Sequence, residues 1–427
     1  MATSESFSSS MPAYFRQPPA LVDGLETETS KLQSATLHEC LPLLTAVDDP
    51  SRTPFDFNEF GLPNLEREDH ANFLHENLAE FPAPFVGIDS SRPWMVYWAL
   101  LGLYLLGEDV SPFRARVVKT FYPMQNASGG FGGGFGQYSH LAGTYAGLLC
   151  LALVGGEEAY SLIDRKTMWH WLGRLKQADG GFQICEGGEE DVRGAYCALV
   201  AISLLNLPLT LPPGSPAREA GLESFTDGLG QYLSRCQTYE GGIASSPGNE
   251  AHGAYAFCTI ACLCLYGVPH VTIPRFLDVD GLVSWLSARQ YAPEGGLAGR
   301  TNKLVDGCYS HWVGGCWPLV EAALAGPRSP AGHVRKEVNS YHTCYNLVGL
   351  GNVAHSHTYA EVPAAEPYAS AFSWEASRSQ VPSEGDPGNI FDTGAGVRAL
   401  NPVYVIPYES VHEMRAWAIS QPVDLGE

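Results

Sequence analysis

Basic residues are scarce. Lys and Arg total 25 against 46 Asp and Glu in 427 residues, a formal charge of −21, so the chain lacks the cationic footprint that nucleic-acid backbones require. Any cation-lined site must be local. No apolar run approaches the length of a bilayer span, and residues 1–10 are Ser-rich without the basic-then-apolar order of a signal peptide. A cytoplasmic location is therefore expected. There is no strand followed by a phosphate loop either: the glycine run 129–136 has no Lys-Ser/Thr after it. The eleven cysteines are odd in number, and Cys258, Cys262 and Cys264 sit in apolar helical text, which argues for buried free thiols rather than a disulfide framework.

What is present is apolar text in quantity, 45% hydrophobic and 11% aromatic, enough for a sizeable core. Residues 1–60 carry Ser, Pro and Thr without periodicity and read as a mostly irregular N-terminal arm, with residues 61–427 as the folded domain and a helix beginning near Asn72. Residues 93–106 are apolar on nearly all sides, which predicts a helix buried all round and ended by Gly107. A mark then recurs every 50–60 residues, a Gln followed by Gly-Gly and an apolar residue, at 125–131, 177–182, 237–243 and 290–297. An amphipathic segment precedes each mark, for example 163–176 and 282–289. An apolar, small-residue-rich one follows, at 141–154, 192–205, 252–266 and 309–324. Two-helix units of this kind bury their inner helices only against their neighbours, so the expected fold is all-α, hairpins stacked into a closed ring or α/α barrel. The Gly-Gly pairs are read as turns that need positive φ and close chain approach.

If all inner helices run the same way, their N-terminal ends share one rim. The polar residues there are Asp191 and Arg193, Glu250 and His252, Asp306 and Cys308, and Tyr341 with His342. An Asp, a Cys and a His from neighbouring inner helices are the donor set of a zinc site with one open position, which implies catalysis. Read singly, Asp191 and Asp306 are also good helix N-caps, Cys308 a core thiol and His342 a satisfied polar group. Arg300, Lys303, His252 and the Tyr309 hydroxyl would stand beside helix N-termini, where an anion such as a diphosphate is favoured; solvated loop charges are the plainer reading of the two cations. Trp94, Trp98, Tyr145, Tyr196, Tyr255 and Trp312 could line an apolar cavity beneath that rim.

Taken together and in order, Ser91-Arg92-Pro93-Trp94, the glycine run 129–134, Asp191-Val192-Arg193-Gly194-Ala195-Tyr196-Cys197, Glu240-Gly241-Gly242-Ile243, Glu250-Ala251-His252-Gly253, residues 300–309 and Tyr341-His342-Thr343-Cys344-Tyr345 resemble the β subunits of protein farnesyltransferases. The resemblance covers residues 70–350 and returns faintly at Asn401-Pro402-Val403-Tyr404. It implies an α/α barrel paired with a separate α subunit that supplies a catalytic lysine. It implies zinc held by Asp306, Cys308 and His342, with Tyr309 and Lys303 also at the reaction centre. Diphosphate contacts fall on His252, Arg300, Lys303 and Tyr309, and isoprenoid or peptide contacts on Trp94, Trp98, Arg193, Tyr196, Trp312 and Tyr341. Farnesyl diphosphate and proteins ending in a CaaX motif are the implied substrates, and the bulk of Trp94 favours the fifteen-carbon chain over the geranylgeranyl alternative.

The sequence departs from the family in one place. An outer helix and its glycine mark should stand between 326 and 341, yet only a short Pro-rich, charged stretch occupies residues 327–340. The family's magnesium-associated Asp would fall near Gly332 and His333, with Lys336 replacing a neighbouring family lysine, which weakens the case for Mg2+. The shortened repeat predicts apolar backs of two inner helices left exposed. It also keeps open a non-catalytic scaffold that binds the α partner. Residues 355–400, rich in Ser, Pro, Ala and Gly, read as a long irregular segment. A terpene cyclase would need an Asp-rich protonating motif, and the apolar segments contain none.

Overall fold

The apolar segments become helices set side by side around a ring in the computed structural model, which describes residues 25–44, 64–79, 81, 83–290, 296–326, 340–361, 372–378 and 397–423. The inner helices are, in order, Arg92–Leu105, Leu141–Val154, Val192–Leu204, Gly253–Tyr266, the pair Tyr309–Trp312 and Cys316–Ala325, and Ser340–Ala354. Each packs on the next, and the sixth returns to the first, so the ring closes. The second shows why these segments are internal: thirteen of its fourteen residues are buried, leaving no face for water. Pro93 sits in the first turn of the first helix, where its fixed φ suits the helix and its missing N–H leaves nothing unsatisfied.

Outer helices Arg114–Phe121, Arg165–Leu175, Leu229–Arg235 and Val279–Ser287 precede the second to fifth inner helices. Asp164 and Asp278 cap two of them by accepting from Thr167 N–H at 3.0 Å and Gly281 N–H at 3.1 Å. The recurring Gln acts as a clip between repeats. The Gln125 side chain donates to Leu162 C=O and accepts from Asp164 N–H, both at 2.9 Å. Gln237 does the same to Asp278, taking its N–H at 2.8 Å and giving to its C=O at 2.9 Å. At the first three marks the leading glycine, Gly129, Gly180 or Gly241, then abuts the next outer helix or its N-cap. At Gly241, φ is +92° and a Cβ would lie 2.1 Å from the Gly281 carbonyl oxygen, so only glycine fits. This repeat-to-repeat contact accounts for the glycine marks.

Three expectations are corrected. The fifth inner helix is not continuous over 309–324 but breaks at 313–315. Gly314 N–H reaches back five residues to Tyr309 C=O at 3.0 Å, a widened turn, while Gly315 N–H bonds His311 C=O at 2.6 Å, and a Cβ at Gly314 would lie 2.2 Å from the Ser310 carbonyl oxygen. The helices flanking the shortened repeat are not left bare. Cys316–Ala325 packs on helix Pro269–Phe276 and on strand β1 (His355–Glu361), and β1 also lies against Ser340–Ala354. Leu324, 66% exposed, is the large apolar side chain of Cys316–Ala325 that stays in water. Finally, part of the segment expected to be irregular is ordered: β1 pairs antiparallel with β2 (Phe372–Arg378), Tyr359 opposite Trp374 with ring centroids 5.3 Å apart. Their near-complete burial at 1% and 4% exposure supplies apolar cover to the helices that flank the shortened repeat. Residues 327–339 lie outside the described residues. Helix Glu28–Leu44 forms within the N-terminal arm.

Residues 397–406 return to the ring. Arg398 N–H donates to Leu105 C=O at the C-terminal end of the first inner helix, and the chain then packs beneath the inner helices, with Val403, Tyr404, Val405 and Ile406 at most 4% exposed. Helix Tyr408–Ser420 follows and packs outside the second and third inner helices. Among the described residues no helix is long and apolar enough to cross a membrane.

Candidate functional site

The N-terminal ends of the inner helices do share one rim. Leu141 N–H donates to Ile184 C=O, Val192 N–H to Ser245 C=O and Gly253 N–H to Gly299 C=O, at 2.8, 2.9 and 2.8 Å, so each helix start is sewn to the glycine turn of the following repeat. Their N-caps are His140, Asp191 and His252, with side chains that accept from the backbone two residues on.

Along this rim the polar groups form a connected line. Asp191, 3% exposed, takes the Arg193 and Gly194 N–H groups at 2.8 and 3.2 Å and also holds the Arg193 guanidinium, its Nε at 2.9 Å. Burial works against the charge on Arg193, and the Asp191 carboxylate more than restores it, raising the pKa. The guanidinium lies 5.9 Å from the Tyr255 ring, which in turn sits 5.2 Å from the His252 ring. His252 Nε2 is 3.0 Å from the Tyr309 hydroxyl. Burial, with Arg300 adding to it, holds His252 below its ordinary pKa. Burial, then Cys308 and Asp306, pushes the Tyr309 phenol up to about 12, so it stays a proton donor at neutral pH. Arg300 pairs with Glu250 at 2.7 Å, an exposed ion pair that an anionic ligand could displace at little cost. Lys303 is exposed on the turn between Arg300 and Asp306.

Asp306 and Cys308 stand one turn away. The thiol residue is 5% exposed and its N–H donates to the exposed Asp306 carboxylate at 2.9 Å. A carboxylate and a cysteine at adjacent places of one turn fit two ligands of a tetrahedral zinc. His342 lies in the first turn of helix Ser340–Ala354, whose Gly349 backbone comes against Ser310, so its Cα belongs to the neighbouring helix. The side chains of Tyr341 and His342 lie outside the described residues. Among the described residues no three His, Cys, Asp or Glu side chains gather as a metal group.

Below the rim is an aromatic wall. Trp94 packs 5.6 Å from Tyr145 and 5.9 Å from Trp98, Tyr145 lies 5.4 Å from Tyr196, and Trp312 sits 5.8 Å from Phe257 and 4.8 Å from Tyr345. Trp98 Nε1 reaches the Tyr345 hydroxyl at 3.4 Å, which joins the first and sixth helices. Trp94, Trp98, Tyr255, Tyr309 and Trp312 are half-buried, whereas Tyr97, Tyr145 and Tyr196 beneath are at most 5% exposed.

Sequence reasoning passed over Phe257, Tyr345, His311 and Tyr97. Phe257 had a signal: it is the fifth residue of its inner helix, as Tyr145 and Tyr196 are of theirs. Tyr345 follows His342 by three places and so shares its helix face. The role of Asp191 as the anchor of Arg193, beyond a cap, needed the side-chain geometry.

A family model described as the prenyltransferase alpha-alpha toroid domain matches residues 65–406. The chain is 46% identical to a protein farnesyltransferase subunit beta of Pyricularia oryzae over 96% of this chain and 84% of that one. It is 31% identical to the corresponding subunit of Schizosaccharomyces pombe over 92% and 98%. Among solved structures, the Candida albicans protein geranylgeranyltransferase-I complexed with GGPP aligns with a TM-score of 0.58 at 20% identity, covering 82% of this chain and 98% of that one, a likeness of fold.

Proposed function

The chain belongs to the protein prenyltransferase β-subunit family, and from that premise we propose that it is the catalytic β subunit of a zinc-dependent protein farnesyltransferase. It transfers a farnesyl group from farnesyl diphosphate to the cysteine thiol of a C-terminal CaaX motif. A carbon–sulfur bond forms at C1 of the isoprenoid, the C1–oxygen bond breaks, diphosphate leaves and the thiol proton goes to solvent. The observation that supports this reading is that Tyr309, bonded to His252 and within the field of Arg300, adjoins Asp306 and Cys308 above an aromatic wall.

Asp306, Cys308 and His342 would hold zinc, which when bound keeps the substrate thiol ionised at neutral pH. The remaining steps belong to the chain's own groups. Arg300 and Lys303 face the charge that grows on the departing diphosphate, and Tyr309, protonated at neutral pH, donates a hydrogen bond to it. The half-buried Trp94, Trp98 and Trp312, with Tyr196 below, hold the isoprenoid and exclude water from C1. Arg193, fixed by Asp191, and Tyr341 would meet the peptide. Trp94 packed on Tyr145 shortens the lumen, which favours the farnesyl chain over geranylgeranyl. The protein works as a heterodimer with a prenyltransferase α subunit in the cytoplasm. For magnesium, the stretch 327–340 holds no Asp, and its one carboxylate is that of Glu337.

The test is co-expression with an α subunit, a zinc determination and a transfer assay on a CaaX peptide with both isoprenoid diphosphates. One zinc per chain, lost in Cys308→Ala, and preferred farnesyl transfer are expected. A stable heterodimer that yields no labelled peptide would instead make the chain a scaffold.

A further inference from the structure

Three consecutive inner helices hang on three consecutive carbonyls of the returning chain. Tyr97 of the first helix donates to Val405 C=O at 2.8 Å and Tyr196 of the third to Val403 C=O at 2.7 Å, while the Tyr145 hydroxyl of the second is shared between the Tyr196 hydroxyl at 3.2 Å and Tyr404 C=O at 3.4 Å. These are the rings at which the half-buried wall gives way to full burial, so they form the floor of the lumen.

The carbonyls point at the ring only because the turn 401–406 is wound tightly. Asn401 Oδ1 accepts from Val403 and Tyr404 N–H at 3.0 and 3.3 Å, its own N–H goes to Ile406 C=O and Val405 N–H returns to Asn401 C=O, both at 2.9 Å. The winding forces Val405 to φ +61°, a left-handed conformation that a β-branched residue avoids. The turn is thus held against its own backbone preference by Asn401 at one end and the Tyr97 hydroxyl at the other.

We propose that this turn sets the depth of the lumen, and that Asn401 and Tyr97 are positioning residues which decide how long an isoprenoid chain the enzyme accepts. The inference rests on the reading of the lumen as an isoprenoid pocket. Without either clamp Val405 relaxes out of the left-handed region, the carbonyls swing away, and the Tyr145 and Tyr196 rings sink from the level they now occupy. A chain one isoprene unit longer then fits.

The experiment uses the heterodimer with its α subunit and reads kcat/KM for farnesyl and for geranylgeranyl diphosphate. Asn401→Ala and Tyr97→Phe are each expected to raise the geranylgeranyl-to-farnesyl ratio at least about tenfold, the scale at which pocket length discriminates methylene count. Asn401→Asp, which keeps the accepting oxygen, should restore the wild-type ratio. A purely structural turn would lower both rates together, so assembled variants whose ratio stays within about twofold of wild type overturn the proposal. Should Asn401→Ala fail to assemble, Tyr97→Phe decides, since it removes one hydroxyl and leaves the turn's own bonds. Failure of both to assemble also overturns it. A wild-type heterodimer that transfers neither isoprenoid instead refutes the functional reading itself, and the depth proposal with it.

Discussion

The Tyr309 hydroxyl lies 3.0 Å from Nε2 of His252, and the opposite ring nitrogen of that histidine accepts the Ala254 N–H at 3.1 Å. The second bond decides the first. A nitrogen that accepts carries no proton, so neutral His252 is protonated on Nε2 and donates to Tyr309, whose own proton is free to point at a ligand.

His252→Asn keeps a side chain able to cap the fourth inner helix but removes the donor to Tyr309. Stability is expected to fall by about 1 kcal/mol or less, while affinity for farnesyl diphosphate, followed by tryptophan quenching, drops about fivefold to tenfold. An unchanged affinity would mean that the pair does not orient Tyr309.

His311 is 1% exposed, stacked 4.9 Å from Tyr345, and its Nδ1 has no hydrogen-bond partner among the described residues. Burial brings its pKa down to about 3. The folded state therefore binds its proton later than the unfolded chain does, and stability present above the ordinary pKa of 6.5 is lost as pH falls from there through about 3. His311→Phe should flatten this acid limb by up to about 1.4 kcal/mol per pH unit, read from denaturant unfolding between pH 6 and 4. Parallel curves for the two proteins would refute it.

Glu190 shows the opposite sign. Its Oε1 is buried with no hydrogen-bond partner among the described residues, and burial, then the hydrogen bond and charge of Asp179, pushes its carboxyl from 4.5 up to about 7. The protonated form is the stabilising one, so the benefit is complete below 4.5 and disappears as pH rises through about 7. Glu190→Gln should match wild type at pH 4.5 and melt higher at pH 8. The gap is modest because the group is partly open to solvent, and a gap that shrinks with pH would contradict the assignment.

Gly241→Ala tests what the glycine marks are for. The left-handed φ alone costs about 1–3 kcal/mol, and the added Cβ would strike the Gly281 carbonyl at 2.1 Å. Loss of soluble folded protein is expected without any ligand present. A stable variant defective only in diphosphate binding would restore a ligand role to the glycines.

The sequence by itself determined the inner helices, because residues such as 141–154 have no polar face and can be stable only inside. It also determined their spacing and, through the repeat, the rim on which Arg193, His252, Arg300, Asp306, Cys308 and Tyr309 assemble. Composition is local, and burial periodicity survives without coordinates. What only the tertiary structure decided are contacts between residues far apart in the chain. Asp191 grips Arg193 as well as its helix, Glu250 occupies Arg300, and an antiparallel strand pair packs on the helices beside the shortened repeat. The lumen is floored by carbonyls of 403–405, more than 200 residues beyond Tyr196. Backbone carbonyls leave no trace in residue type, and a left-handed Val405 runs against local propensity, so the faint resemblance at 401–404 marked the segment without announcing its place as a floor.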